Sequence, residues 1–401
     1  MSKKEIWFRP IIIIHGFICF LVKQITDERA RTRPVYIKFD SFVPSEDTVA
    51  LVLASFCGSG QYHSIYMDLS ICRDTFEKLN NWLEADLSVH AILDKDYFPS
   101  TSLTTDLQQI RMDGTHAILN YSGGMDSLAF LCCLPPKTKL VSVYFTGYER
   151  EFKFFRKYNT HIVKTNVRRF IPIDENSWEF MGFASILYKD YYPDTNCLLF
   201  GSIAESARWG LEHHFTRITG QDVPLYHAAG MILPHCTHAL TELGTALIVA
   251  YYKYEEMFGS LCSIEDIGSE KLYRKECLSN IACEMLGLDP IVNEYHFPEN
   301  KLTFGNYITT DFLSLCIAKY LGVDFAAAIY EELPQGFEEF VQTHTLSFYK
   351  KIKQDNLSIE PKDLIQFFCS KCQGAGLEYY QEDDYREIRE VLAFLDLAKD
   401  T

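Results

Sequence analysis

From His116 onward the chain alternates short apolar runs with helical stretches, and that rhythm limits the fold more than any other feature of its 401 residues. Residues 117–121 read as a strand. A glycine-bearing turn follows, Ser122-Gly123-Gly124-Met125-Asp126-Ser127, and residues 128–134 begin a helix that Pro135-Pro136 ends. Residues 140–145 read as a second strand, 149–158 as a helix, 161–167 as a third strand and 178–188 as a helix. A fourth strand, 197–200, runs into Gly201-Ser202. Strands that alternate with helices predict an α/β fold with a doubly wound parallel sheet, because parallel neighbours need a crossover between them.

The flanks have other rhythms. Before residue 110, β-branched and apolar runs at 11–14, 17–22, 35–39 and 49–56 read as strands. Phe76, Leu79, Trp82 and Leu83 predict a helix over 75–86, with Asp74 as its N-cap. Cys57-Gly58-Ser59-Gly60 reads as a turn, and the polar stretch 100–114 as a linker. Beyond Glu205 the pattern is helical, over 239–257, 270–287, 309–321, 337–354 and 383–399. The expected division is a β-rich N-terminal domain (1–110), a central α/β domain (115–290) and a helical C-terminal region (291–401).

Composition narrows the class of partner. The net charge of −16 argues against nonspecific binding of long nucleic acids. Two basic clusters, Arg29, Arg31, Arg33 and Lys38, then Lys164, Arg168 and Arg169, read as solvated faces. The 13 cysteines are odd in number and scattered, which predicts free thiols in a reducing compartment and a cytoplasmic location. The apolar stretch at 11–22 is broken by His15-Gly16 and falls short of the ~20 residues of a spanning helix, so a buried strand is expected and no membrane partner.

The 122–127 turn carries the chemistry. Gly123 and Gly124 let the backbone approach an anion closely. Backbone N–H groups at the helix start point toward it with the positive end of the helix dipole. Ser122 and Ser127 add hydroxyl donors. An aspartate beside phosphate calls for a cation between them, so Asp126 implies Mg²⁺. No Gly-x-x-x-x-Gly-Lys loop occurs in the chain.

The turn resembles the signature of the PP-loop ATP pyrophosphatases, the N-type group with an adenine nucleotide α-hydrolase-like fold. The resemblance implies that ATP is cleaved between its α- and β-phosphates, with Asp126, Ser122 and Ser127 at the reaction and Ser122, Gly123, Gly124, Met125, Asp126 and Ser127 around the pyrophosphate. Met125, the segment from Tyr144 to Glu151, and Cys197-Leu198-Leu199-Phe200-Gly201-Ser202 are similar to 7-cyano-7-deazaguanine synthase (QueC). By that resemblance the main chain at Tyr144 and Phe145 holds adenine, and Gly201 and Ser202 border the phosphates and substrate. The synthase's Arg-Asn pair is not found near 178–183, and its C-x8-C-x2-C-x2-C zinc spacing is absent. The added N-terminal domain is more like the larger relatives encoded in bacterial antiviral operons, the QatC type.

That resemblance also suggests a split zinc site of Cys262, Cys277, Cys369 and Cys372, tetrahedral zinc taking four such ligands. His235-Cys236-Thr237-His238 has metal-like spacing, but the segment 205–240, with His213, His214, His227 and Asp222, reads as a loop over the active site. Arg208, Arg217, Arg274 and Lys275 are candidates to neutralise phosphate, each also readable as a surface residue. The expected function is an ATP-dependent ligase that adenylates a small deazaguanine-like substrate and couples an amine or ammonia. Its expected partners are that small molecule, a protein partner or protein substrate from the same operon, and a second copy of the chain in a homodimer. Two alternatives stand beside it: an RNA sulfurtransferase using the Cys369-x2-Cys372 thiols, and a non-catalytic nucleotide-sensing subunit of a defence complex.

Overall fold

Three ten-residue strands open the chain: β1 (Glu5–Ile14), β2 (Phe17–Thr26) and β3 (Arg29–Lys38). They form an antiparallel meander, turned first at Gly16, whose φ is 70°. Ile6, Phe8, Ile18, Phe20, Val22, Val35 and Ile37 are buried on one face, while Trp7 and Leu21 are exposed on the other, the alternation of a half-buried sheet. The structure, a computed structural model, describes residues 4–26, 29–94, 114–147, 151–173, 178–212, 224–358 and 360–398.

Helix α1 (Glu46–Cys57) corrects a sequence expectation. Residues 49–56 are apolar on every side, which reads as a strand, yet they are buried all round as a helix. The decision lies just upstream. Ser45 Oγ accepts from Thr48 N at 3.2 Å and donates to Asp190 Oδ2 at 3.0 Å, and Glu46 and Asp47 fill the first turn. Ser45→Ala is therefore expected to lower stability by about 1–2 kcal/mol in urea unfolding, with an unchanged m-value.

Then come β4 (Ser64–Cys72), α2 (Arg73–Leu83) and β5 (Asp86–Leu93). The predicted helix starts two residues earlier than expected, with Cys72 rather than Asp74 at its N-cap. After residue 113 follow β6 (Ala117–Asn120), α3 (Met125–Cys132), β7 (Lys139–Phe145), α4 (Phe152–Lys157), β8 (His161–Thr165), α5 (Phe183–Leu187) and β9 (Cys197–Leu199). All nine strands make one sheet, in the order β5-β4-β1-β2-β3-β8-β7-β6-β9. The sheet is mixed and mostly parallel; β1–β2, β2–β3 and β3–β8 are its antiparallel pairs. The boundary expected near residue 110 lies outside the described residues, but strands from both sides of it share this sheet, with Ile37 opposite Thr165 and Lys38 opposite Lys164.

Counted from β6, the parallel half runs third, second, first, fourth. The order reverses between β6 and β9. The two loops that leave there are 122–127 and the turn at Gly201-Ser202.

The chain forms two compact units. One comprises the described residues of Met1–Ser122, Pro136–Leu199 and Gly220–Pro234, and so contains the sheet, α1, α2, α4, α5 and a short α7 (Pro224–Ala228). The other comprises those of Gly123–Pro135, Phe200–Thr219 and His235–Thr401. This second unit holds α3 and a short α6 (Arg208–Leu211), then α8 (Glu242–Ile264), α9 (Glu270–Met285), α10 (Ile308–Leu321), α11 (Val323–Ala327) and α12 (Phe337–Thr343). A two-stranded parallel pair, β10 (Lys351–Ile352) with β11 (Glu378–Tyr379), precedes and follows α13 (Lys362–Gly374), and α14 (Glu382–Leu397) ends it.

One expectation fails here. The helix predicted over 337–354 stops at Thr343. Leu346 takes a left-handed φ of 53°, and Glu387 of α14 holds Thr345 through its Oγ1 at 3.0 Å, so tertiary contacts override the local pattern. Residues 362–374, to which the sequence pattern assigns no element, are helical, with Leu364, Phe368, Cys369 and Cys372 forming the buried face. No helix among the described residues is long and apolar enough to cross a membrane.

Candidate functional site

Gly123 turns the chain out of β6 with φ of 80°, in the left-handed region that glycine enters at little cost. Gly124 is the N-cap of α3, extended and contributing no side-chain oxygen to the first-turn amides. The carbonyl side of the loop is held from α8. Gly123 O accepts Ser260 Oγ at 2.9 Å and Ser263 Oγ at 3.5 Å. Ser127 Oγ turns back and donates to Gly124 O at 2.9 Å, so that hydroxyl fastens the helix start.

The turn after β9 fits against this loop with no room to spare. A Cβ on Gly201 would lie 2.6 Å from Asp126 C and from Ser127 N, and 2.7 Å from Ser127 Cα. These are backbone atoms, so only glycine suits the position. Ser202 beside it is buried.

Asp126 faces an ionic cluster. Its Oδ1 accepts Thr245 Oγ1 at 2.8 Å and its Oδ2 accepts Lys275 Nζ at 3.1 Å. Lys275 is also paired with Glu242, and Glu242 in turn with Arg274. Arg274 Nε donates to Glu270 at 2.7 Å. Lys275, Arg274 and Glu242 are all buried, so these charges are fixed by one another rather than by water. Burial opposes the Lys275 charge, but Asp126 and Glu242 outweigh it and hold the ammonium's pKa above its ordinary value. Burial likewise works against the Glu242 carboxylate, and Arg274 and Lys275 overcome it, so its pKa is lowered.

Glu205, four residues past Gly201, closes the cluster. It is fully buried, and its Oε1 accepts the Glu242 backbone N–H at 2.6 Å while Oε2 has no hydrogen-bond partner. Burial, and then the charge of Glu242, push its pKa up to about 8, so it carries a proton at neutral pH. A raised carboxyl pKa contributes stability that is full below the unfolded value near 4.5 and is lost as pH rises toward 8. Glu205→Gln removes that titration. Its unfolding free energy is expected to fall less than the wild type's between pH 5 and pH 8, by up to a few kcal/mol; equal slopes in urea titrations at the two pH values would refute the assignment.

Of the residues named from sequence, Gly123, Gly124, Met125, Asp126, Ser127, Gly201 and Ser202 lie in one unit. Arg274 and Lys275, readable as surface residues, are buried, Lys275 on the loop's aspartate and Arg274 on Glu242 and Glu270. Thr245, Glu242, Ser260 and Ser263 were missed; the only signal was the i, i+3 spacing of Glu242 and Thr245 at a helix start. Ser122 lies in the sheet-containing unit, and so do Tyr144 and Phe145, buried at the end of β7. In that unit Lys164 Nζ sits 4.9 Å over the Tyr144 ring and Arg168 5.5 Å from the centre of the Phe145 ring, so these two cations cover aromatic rings instead of forming a solvated face.

The structure does not bring the four cysteines together. Among the described residues no group of three or more His, Cys, Asp or Glu is arranged to hold a metal. Cys369 and Cys372 stand one turn apart inside α13, Cys372 hydrogen-bonding Cys133, while Cys277 bonds Tyr273 and Cys262 is exposed on α8. His235 and His238 are likewise not part of an open loop. Both are buried, with rings stacked 4.6 Å apart, and burial lowers the His235 pKa to about 4. Arg208 pairs with Glu212 and Asp396. His213, His214, Arg217 and Asp222 lie outside the described residues, as do Tyr148 to Arg150.

Compared with models of protein families, with curated proteins and with solved structures, the chain has no match in any of the three.

Proposed function

We propose that this chain is an ATP-dependent ligase that cleaves ATP between the α- and β-phosphates, in the manner of the PP-loop pyrophosphatases. In this reading a carboxylate or amide oxygen of a small deazaguanine-like heterocycle attacks the α-phosphate and expels pyrophosphate, and ammonia or an amine then displaces AMP to form a C–N bond. The observation that carries the reading is the 122–127 loop. A glycine-capped helix begins directly after the strand where sheet order reverses, Gly201 is fitted against it, and a buried lysine is fixed on its aspartate. The adenine nucleotide α-hydrolase-like fold, the adenine contact at the main chain of Tyr144 and Phe145, and a role in bacterial antiviral defence with a protein partner belong to the same reading through resemblance.

The donor set fits magnesium. Asp126 is a hard carboxylate, about a quarter exposed, at a helix start that favours phosphate. It would hold the ion, which supplies charge neutralisation to the pyrophosphate. The protein's own contribution is preorganised positive potential. The first-turn amides of α3 and the Lys275 ammonium are in place before charge develops on the leaving group, which is where such potential lowers a barrier most. Glu242 and Glu270 keep Arg274 and Lys275 from relaxing outward. Thr245 orients Asp126.

Exchange of labelled pyrophosphate into ATP tests the reading. With 7-carboxy-7-deazaguanine present and no amine, label is expected to enter ATP in proportion to enzyme. Absence of exchange across a panel of small heterocyclic acids, in protein that binds ATP, would favour a nucleotide sensor instead.

A further inference from the structure

The outward face of the N-terminal strands differs from the rest of the protein in both charge and shape. By strand register Arg9, Lys23 and Lys38 lie on this face, in a chain whose net charge is −16. On β1 and β2, Trp7 stands opposite Lys23 and Arg9 opposite Leu21, all four exposed, while the other face of the same strands is packed into the core. Trp7 is 41% exposed, and its ring lies 4.8 Å from that of Tyr66, its register partner on β4. Lys23 Nζ is 5.9 Å from the Trp7 ring centre. Toward the other end of β2, Phe17 and Tyr36 form a second pair of half-buried rings, 6.2 Å apart and stacked.

Charge at that second end points the same way. Phe17 faces Lys38, and Lys38 sits directly opposite Lys164 on β8. The Lys164 ammonium lies over the Tyr144 ring, so Lys38 is the exposed cation at that end. Two carboxylates on the face have partners there, while Asp86 at the start of β5 is exposed. Glu5 accepts Trp7 Nε1 at 3.5 Å, and Asp68 pairs with His90 at 3.2 Å.

We propose that this face binds single-stranded nucleic acid, its bases stacking on the Trp7–Tyr66 and Phe17–Tyr36 pairs and its phosphates lying along Arg9, Lys23 and Lys38. From the level of Trp7 to Phe17 is six residues of β2, about 20 Å at strand rise, enough for a short oligonucleotide. Rings on an open sheet with cations between them are what a strand of unpaired bases requires: every base has a face to stack and every linkage a charge to neutralise. A duplex hides those faces, so it is expected to bind more weakly. The proposal is independent of the reaction at the 122–127 loop.

The test is fluorescence anisotropy of the full chain with labelled dT12 and rU12, and with a 12-base-pair duplex. Either single strand is expected to bind with a Kd of about 1–100 μM near 150 mM salt. Three phosphate contacts predict roughly 20-fold weaker binding between 50 and 200 mM salt. Trp7→Ala is expected to weaken binding by about 5-fold or more, and Lys23→Glu to weaken it while flattening the salt dependence. Thermal unfolding of both variants confirms that they fold; should Trp7→Ala not fold, Lys23→Glu and Arg9→Glu decide. No binding of either single strand by the wild type would overturn the proposal, as would binding that the variants leave unchanged. Self-association through this face, seen as a dimer in light scattering that Trp7→Ala abolishes, would also overturn it.

Discussion

Asp126→Ala is expected to lower formation of AMP and pyrophosphate by on the order of 10²–10³-fold, the usual cost of removing one preorganised electrostatic group from a reacting centre. The side chain joins three elements. It sits in the first turn of α3, takes a hydrogen bond from Thr245 of α8 and an ion pair from Lys275 of α9. Its loss leaves Lys275 with Glu242, so the lysine stays charged and the fold survives, at a cost of roughly 1–3 kcal/mol for the unpaired partners. Asp126→Asn separates the two roles. It keeps an acceptor for Thr245 but loses the charge, so turnover is expected to fall nearly as far while stability falls less. The check is AMP and pyrophosphate production by each variant, beside its urea midpoint. Turnover retained in Asp126→Asn would mean that the carboxylate charge does no chemical work.

Gly201→Ala is expected to damage nucleotide binding and stability together. The added carbon would meet Asp126 C, Ser127 N and Ser127 Cα at 2.6–2.7 Å, distances at which backbone must shift. Overpacking of this kind costs about 1–3 kcal/mol. Here the atoms that must move include the amide of Ser127, in the first turn of α3. ATP affinity is therefore expected to drop by at least about tenfold, more than stability alone explains, since a misplaced donor is worth most where charge is concentrated. Isothermal titration with a non-hydrolysable ATP analogue measures it, and unaltered affinity in folded Gly201→Ala would place the phosphates elsewhere. Gly287→Ala is the control; its φ is also positive, at 67°, but no atom lies within 4 Å of the added carbon.

The parallel half of the sheet was legible because its strands are short, apolar and separated by proline, glycine or charge. The strand, loop and helix around Asp126 followed from residues next to one another in sequence. What holds Asp126 did not. Thr245 and Lys275 are more than a hundred residues away, and a lysine among polar neighbours carries no mark that it is buried. Helix α9 shows why: Arg274 and Lys275 look like a solvated pair until Glu242 and Glu270 are found beside them. Residues 49–56 misled because an apolar run without period fits a strand or a fully buried helix, and the deciding signal was the serine cap at 45. The cysteines misled for a related reason. An x2 spacing suits metal ligands in a loop, but in a helix it places two thiols on one buried face, as in α13. The single sheet joining β1–β5 to β6–β9 rests on a two-residue pairing of β3 with β8, too short for any pattern to announce.

Phosphorus NMR of a turnover mixture reads which bond of ATP breaks. With ATP, Mg²⁺, an acceptor acid and an ammonium source, AMP and pyrophosphate resonances are expected to grow at equal rates, and neither is expected to grow with Asp126→Ala. Growth of ADP and inorganic phosphate resonances instead, in the wild type and not in the variant, would contradict cleavage between the α- and β-phosphates.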